Sequence, residues 1–351
     1  MLVISRGQVR DILAGQEHEV LHAVRAAYLL HHEGQTALPH SVFLRLPQAG
    51  GAPSANRIIG LPAYVGGPNG AAGMKWIASF PGNIQRGIDR ASAVIVLNSL
   101  ETGHPLALVE GSLISAARTA ASAALAADAL VSPETAGIRG ISLIGCGVIN
   151  ATILRYVHAL HPTLVDVTVY DLDPVRAVDF AERCSTAVLG VKVGVADTVE
   201  AALTAHDLVS LATTASTPHL DLTGAAGLPP TTTVLHVSLR DLSTGTILAN
   251  HNIVDDVDHV CREQTSIHLT ELETGGRDFI DGTLTDLMLA GKPFPRQFGK
   301  SAFFSPFGLG ALDIAVAQFV LAEATRRGLG IGIQGFLDDA GEATDSANSP
   351  S

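Results

Sequence analysis

The spacing of apolar and polar positions divides the 351-residue chain into stretches of different period. From about Ser5 to Gly34, the residues Val20, Leu21, Val24, Ala27, Tyr28 and Leu30 fall near helical spacing, and Gly34 supplies a stop. Between Ser41 and Glu110 the texture changes to short runs, RIIGLPAYV, GMKWIASF, ASAVIVLN and PLALVE. Turn residues separate them, including PNG at 68–70 and TGHP at 102–105. This pattern predicts an α+β region on an antiparallel sheet. The alanine-rich SLISAARTAASAALAADAL at 112–130 predicts a long helix, whose small side chains let another backbone approach closely.

From Ile138 the rhythm becomes strand, helix, strand, helix. ISLIG, VDVTVYD, VKVGV, DLVSLAT and TTVLHVSL are short apolar runs suited to buried strands, with helices opening at VIN and running over 174–188. Alternation of this length predicts a parallel sheet covered on both faces. A further helix over 310–327 is placed to return to the first domain, VSPETAG at 131–137 reads as the loop between domains, and the polar tail 339–351 is expected to be disordered.

Composition narrows the function classes. Hydrophobic residues make up 47% and charged ones 16%, as in a well-buried globular protein. The 22 basic and 34 acidic residues give a net charge of −12, so no general attraction for nucleic acid or an anionic membrane is expected. Basic residues gathered at a site are then local devices for a small anion. Cys146, Cys184 and Cys261 form no CxxC pair, which argues against a disulfide framework or thiolate zinc site and suits a reducing cytoplasm. The opening MLVISRGQVRDIL lacks the layout of a signal peptide, and no uninterrupted apolar run approaches the ~18 residues of a membrane span. A cytoplasmic location is the expectation.

The loop GCGVIN, Gly145 to Asn150, follows a predicted strand and opens a predicted helix. Gly145 suits the tight turn, Gly147 lets the backbone approach a pyrophosphate, and Val148 and Ile149 begin a helix whose free amides favour anions. The third glycine of the usual pattern is Asn150. The next strand ends at Asp171, 26 residues after Gly145, where such folds place the acid that binds the adenosine ribose. A carboxylate there repels a 2′-phosphate, which favours NAD over NADP. Asp173 before Pro174 fits a helix cap instead. The predicted fold is α/β: a doubly wound Rossmann-type NAD-binding domain over 131–309, joined to an α+β domain made of 1–130 plus 310–338.

Three cations of the first domain, Arg57, Lys75 and Arg118, stand in apolar or small-residue surroundings. They are read either as surface charges or as a pocket that grips carboxylates. Asp241, in LHVSLRDLSTG, follows an apolar run, so it is placed at the carboxyl end of a strand. Partial desolvation would raise its pKa toward the range of a general base, and an ordinary turn carboxylate is the competing reading. The chain contains no GxSxG, HExxH or Walker loop, and no metal is expected. The fourteen histidines are scattered, and His158 and His161 read as a polar helix face. Asp255, Asp256 and Asp258 read as a solvated acidic turn, and Cys146 as a small side chain beside the cofactor.

Taken together, these segments resemble the ornithine cyclodeaminase and mu-crystallin superfamily up to about Asp338. The order of features carries the resemblance: Lys75 before FPGN at 80–83, TGHPLAL at 102–108, SAARTAASAA at 115–124, then the glycine loop. KWIASFPGNI, RASAVIVLNSLETG and EGSLISAARTAASAALAA resemble the branch that makes 2,3-diaminopropionate, the N-(2-amino-2-carboxyethyl)-L-glutamate dehydrogenases of siderophore and peptide-antibiotic pathways.

The resemblance implies a homodimer formed through the N-terminal domain and the returning C-terminal helix. It implies that Lys75 and Arg118 hold substrate carboxylates, and that Asp241 matches the general base or water activator. Arg118 and Thr119 would lie near the NAD, with Arg90, Thr213 and Ser305 at further cofactor positions. Where cyclodeaminases carry an arginine soon after a proline, this chain has Pro39–His40–Ser41, which leaves Ser41 at the substrate. Gly245 stands near the position of a lysine expected after the catalytic acid. The implied reaction is therefore net oxidation of a three-carboxylate amine to L-2,3-diaminopropionate and 2-oxoglutarate. The alternatives are an ornithine or lysine cyclodeaminase and a mu-crystallin-like nucleotide-dependent binding protein.

Overall fold

The computed structural model describes residues 1–46, 56–132, 135, 137–224 and 227–337, so the tail 339–351 and part of the 131–137 loop lie outside the described residues. Two sheets organise the chain. The first contains β1 (Leu2–Ile4), β2 (Thr36–Ala37), β3 (Val42–Arg45), β4 (Arg57–Val65), β5 (Ala71–Ser79), β6 (Ala91–Asn98) and β7 (Pro105–Glu110). The second contains β8 (Gly140–Ile144), β9 (Asp166–Tyr170), β10 (Lys192–Val195), β11 (Leu208–Leu211), β12 (Thr233–His236), β13 (His251–Val254), β14 (Gly282–Thr283) and β15 (Ala302–Phe304). β16 (Ile331–Gly332) then returns to the edge of the first sheet beside β1.

β4, β5, β6 and β7 form an antiparallel meander with β3 on β4, as the short runs predict; only β1, parallel to β7, departs from it among the pairs described. Alternation along β6 shows why this sheet has two unlike faces: Ala93, Ile95 and Leu97 are buried, whereas Val94 between them is exposed. The buried face is covered by the helices Glu17–His32, Ser112–Leu130 and Gly310–Arg326. By length and composition the second of these could cross a membrane, but here it is a core helix, with Ala120, Ala121, Ala123, Ala124, Ala126 and Ala127 fully buried. The opposite face carries Val42, Leu44, Tyr64, Met74, Trp76, Val94 and Leu106, each exposed.

The second sheet is parallel throughout, in the order β10-β9-β8-β11-β12-β15-β13-β14. The chain runs outward from β8 to β10, then crosses back to continue from β11. Such a reversal leaves a crevice at the carboxyl ends of β8 and β11, where α/β folds bind their ligands.

One expectation changes. The N-terminal helix is two helices, Arg6–Leu13 and Glu17–His32, broken where Gly15 adopts φ +70°. The helix Gly310–Arg326 returns to the first sheet and buries Asp313, Ile314, Val316, Ala317 and Val320 against it.

Candidate active site

The glycine loop joins β8 to the helix Val148–Leu160. Gly145 has φ +94°, and a Cβ on it would lie 2.5 Å from the Ala212 carbonyl oxygen, so no other residue fits. At Gly147, the helix N-cap, no side chain claims the first amides and nothing lies within 4 Å of an added Cβ. Val148 is exposed beside it and Ile149 half-buried. These free amides and the open space above them suit a pyrophosphate. Asn150, at the third-glycine position, is buried and structural: its Nδ2 donates to the Ile144 and Gly145 carbonyls at 3.0 and 2.8 Å, and its Oδ1 accepts from Ser210 Oγ at 2.7 Å. This clamp ties β8 to β11 beneath the loop.

Asp171, just past β9, accepts from the amides of Cys146 at 2.8 Å and Asp173 at 3.0 Å. A carboxylate has about four acceptor positions, so it braces the loop and still has room for a ribose hydroxyl. Asp173 caps its helix through the amides of Val175 and Arg176, as its place before Pro174 predicts. Cys146 is a buried neutral thiol, pushed up to about 12 by burial and then by the Asp171 charge. The loop, the uncapped helix and the acid after the second strand together fit NAD.

Beyond β12, the turn at Leu239 (φ +74°) brings Asp241 back under the sheet end, where it is fully buried. Its carboxylate accepts from Thr213 Oγ1 and from Ser238 Oγ, and His236 Nε2 lies 3.3 Å from it. The other nitrogen of the His236 ring meets Ser305 Oγ at 3.1 Å. Burial alone would raise the pKa of Asp241, but His236, by hydrogen bond and by charge, and then the Ser238 and Thr213 hydroxyls outweigh it and hold the group at about 2. The expected rise toward a general base is therefore reversed: charge-stabilising donors prevail over desolvation. Thr213 and Ser305, expected at the cofactor, both belong to this network.

Lys75 and Arg118 converge through a residue that sequence reasoning passed over. Asp313, on the returning helix and fully buried, accepts from Lys75 Nζ at 2.6 Å and from Arg118 Nε at 3.1 Å. Lys75 also donates to Ser115 Oγ at 3.2 Å. Burial lowers the Lys75 pKa, Asp313 opposes the fall and Arg118 adds to it, leaving about 8. Two cations on one carboxylate leave a net positive charge in the interior. Thr119, next along the helix, is half-buried.

Arg57 is not in this cluster. It lies on the same face of the first sheet, farther toward the ends of β4 and β5, where it pairs in register with Arg45 and Ser79. Arg90 Nη1 donates to that Ser79 Oγ at 2.8 Å, which sets it beside Arg57. Ser41 lines a cavity of about 260 Å³ together with His40, Phe43, His259, Glu263 and Phe307.

The acidic turn is also not what its composition predicts. Asp255 is buried and accepts from the amides of Phe307 and Gly308 at 2.9 and 2.6 Å; Asp256 pairs with His31 and His259 at 3.1 and 2.8 Å, whereas Asp258 is exposed. Burial raises the pKa of Asp255 despite these donors. The acids are drawn inward because the loop 305–308 presents amides that need an acceptor. That loop links the two halves of the site: Ser305 touches His236, and a Cβ on Gly308 would fall 2.5 Å from Arg118 Nη1.

The pattern of the ornithine cyclodeaminase/mu-crystallin family matches residues 13–225. The chain belongs to that family. Among characterised members, the N-((2S)-2-amino-2-carboxyethyl)-L-glutamate dehydrogenase of Staphylococcus aureus is 26% identical over 333 residues, 94% of this chain and 97% of its own. The Δ(1)-pyrroline-2-carboxylate reductase of Thermococcus litoralis, solved with NADH and L-proline, superposes with a TM-score of 0.85 at 25% identity, covering 95% of this chain and all of the other. The crystal structure of CmnK gives 0.85 at 28% identity over 96% and 99% of the two chains. The fold and the nucleotide cradle are thus those of an NAD-binding enzyme of the ornithine cyclodeaminase/mu-crystallin family.

Within the family frame, Asp313, His236, Ser238 and Ser115 are the site residues that sequence reasoning missed. Asp313 had a usable signal. It is a lone acid in an apolar helix, GALDIAVAQFVLAEATR, just as Arg118 is a lone cation in a small-residue helix.

Proposed function

We propose that the protein is an NAD-dependent amino-acid dehydrogenase that cleaves N-(2-amino-2-carboxyethyl)-L-glutamate to L-2,3-diaminopropionate and 2-oxoglutarate. The carrying observation is the two separate groups of cations along one sheet face, Lys75 with Arg118 and then Arg57, in a protein of net charge −12. A substrate with several carboxylates is the small molecule such a face suits. The similarity to the S. aureus enzyme over 94% of this chain supports the same reading.

In this scheme NAD, when bound in the glycine cradle, supplies the hydride acceptor. Arg118, oriented by Asp313, holds the glutamate α-carboxylate. Lys75, with its pKa near 8, takes the proton from the substrate's secondary ammonium so that the α-carbon can release hydride. Asp241 stays ionised and stabilises the positive charge that develops as the C–N bond becomes an iminium. It then orients water against the iminium carbon, and breakage of the C–N bond releases the two products. The sum is adduct, NAD and water giving 2-oxoglutarate, diaminopropionate, NADH and a proton.

The test is to incubate the protein with NAD and the adduct while following absorbance of NADH and the two products. One NADH per 2-oxoglutarate supports the reading. Proline and ammonia from ornithine without net NADH would replace it with cyclodeamination, and binding of both ligands with no product would make this a binding protein. The same proposal makes the protein a homodimer through the exposed face bearing Met74, Trp76 and Val94. Light scattering should give twice the 36.4 kDa chain mass, and Trp76→Glu should shift the protein toward the monomer.

A further inference from the structure

The second group of cations is larger than Arg57 alone. β3, β4 and β5 place Arg45, Arg57 and Ser79 in one cross-strand row, and Arg90 reaches the same row through Ser79 Oγ at 2.8 Å. From the other sheet, Arg240 donates through Nη2 to the Glu263 carbonyl at 2.6 Å, while the Glu263 carboxylate takes Arg45 at 2.6 Å. Arg57 thus feels the charges of Arg45, Arg90 and Arg240, while the one carboxylate of the group, Glu263, is paired with Arg45. Arg57 Nε is buried without a hydrogen-bond partner among the described residues. Burial, and then the charge of Arg57, lower the pKa values of both Arg90 and Arg240. These cations repel one another.

The backbone is strained around the same point. Leu239, Glu263 and Gln264 are the non-glycine residues with positive φ among those described, at 74°, 53° and 55°. Leu239 precedes Arg240, its carbonyl held by the Ser266 amide at 2.7 Å, and Glu263 provides the carbonyl that fixes the Arg240 side chain. Strain of this kind persists where the surroundings enforce a geometry, and it clusters at sites that bind ligands.

Between the two cation groups lies a single apolar row. Phe43, Ile59 and Ile77 pair across β3, β4 and β5, two residues along each strand from the Arg45–Arg57–Ser79 row and on the same face, with Leu61 and Lys75 paired on the far side. Phe43 and Glu263 also line the cavity of about 260 Å³. The face therefore reads as cation, apolar strip, cations.

We propose that Arg57, Arg90 and Arg240 form a distal subsite that holds the γ-carboxylate of the substrate's glutamate half and sets specificity for it. This rests on the multi-carboxylate amine proposed above. The chemistry separates the candidate groups. The diaminopropionate carboxylate carries an amino group on the neighbouring carbon, which an all-cation pocket repels when protonated. The γ-carboxylate stands alone at the end of two methylenes, which match the apolar row. Arg45 is neutralised by Glu263 and acts as a brace.

The experiment compares the glutamate adduct with its γ-carboxamide counterpart in the wild type, Arg57→Gln and Arg90→Gln, with NADH binding and thermal melting as checks on folding. Calorimetry of glutarate on the NADH-bound protein runs alongside and needs no turnover. Wild type should prefer the carboxylate by about 30-fold or more in kcat/KM. Each variant should lose most of that preference through KM and bind glutarate about tenfold or more weakly, with Arg57→Lys recovering part of it. If the adduct is turned over but both variants keep the wild-type preference and glutarate affinity, the subsite is wrong and the reaction stands. If the adduct is not turned over while glutarate binding depends on Arg57 and Arg90, the subsite stands and the proposed reaction fails.

Discussion

Asp241 and Asp313 are both fully buried, yet one sits under the nucleotide sheet and the other under the first sheet, and their partners make them opposites. Asp241 is met by two hydroxyls and the His236 imidazole, which stabilise its charge. Asp313 is met by an ammonium and a guanidinium, which cancel its charge and leave one positive charge over. Hydroxyl and imidazole partners preserve a buried anion, and paired cations reverse its sign. The two halves of the site therefore carry opposite charge, an anionic wall at the nucleotide sheet and a cationic wall at the first sheet. The loop 305–308 keeps the walls in register, touching His236 at one end and Arg118 at the other.

The comparison breaks most visibly at Asp241. Asp241→Asn keeps shape but removes the anion, so turnover should fall by about 10³-fold while NAD affinity is retained, measured by NADH formation and by titration. An unchanged rate would take Asp241 out of the reaction. Because its pKa is held at about 2, no limb of the pH–rate profile above pH 4 should belong to it.

The pH dependence belongs instead to the cationic wall. If Lys75 accepts the substrate proton, kcat/KM should rise with pH through an inflection near 8, because only the neutral amine can act. Lys75→Arg keeps a cation that does not titrate there, so it should remove that limb and cost about 10²-fold in kcat. A limb that survives in the arginine variant would assign it to the substrate's own amine.

Asp313→Asn tests the same wall from below. It leaves two buried cations uncompensated, for which a loss of about 3–5 kcal/mol in denaturant unfolding is expected. Asp313 is also what raises the Lys75 pKa against burial, so the inflection near 8 should move to lower pH. A variant that is less stable but has an unmoved inflection would make Asp313 structural only; Asp313→Glu should restore part of both.

How much of this was legible depends on how local each cause is. β4, β6, β7 and the helix Ser112–Leu130 coincide with runs read from apolar spacing, because one face of each is buried against a neighbour. β13 and β15 were missed: HNIV and AFF are too short for a period to show, and the buried polar residues His251 and Asn252 look like loop residues. Their burial is possible because Asp281 accepts from the Asn252 amide at 2.8 Å and meets His251 at 3.1 Å, about thirty residues away. The low pKa of Asp241 was illegible for the same reason. Its donors come from Thr213, Ser238 and His236, and chain order alone does not bring Thr213 to it. Asp255 read as solvated because Phe307 and Gly308 lie 52 and 53 residues ahead. The cations were legible as isolated charges but not as groups, since cross-strand register decides that Arg57 joins Arg45, and the distant Ser79 and Asp313 decide that Arg90 reaches that row and that Lys75 joins Arg118.

The smallest effect should come from the loop that spans the two walls. Gly308 has φ +95°, so Gly308→Ala is strained before any contact is counted, by about 1 kcal/mol or more in stability. The new methyl would fall 2.5 Å from Arg118 Nη1 and 3.1 Å from Nη2, and the flexible guanidinium must move. Asp313 still holds Arg118 through Nε, so the group should tilt rather than leave, and KM should rise about severalfold with kcat less affected. His236, Ser305 and Asp241 lie at the other end of the loop, and Asp255 pins Gly308 between them and Arg118. If the walls are independent, the pH profile and NAD affinity of Gly308→Ala should match the wild type. If kcat falls in step with KM, the loop transmits the strain to Asp241, and the two walls act as a single unit.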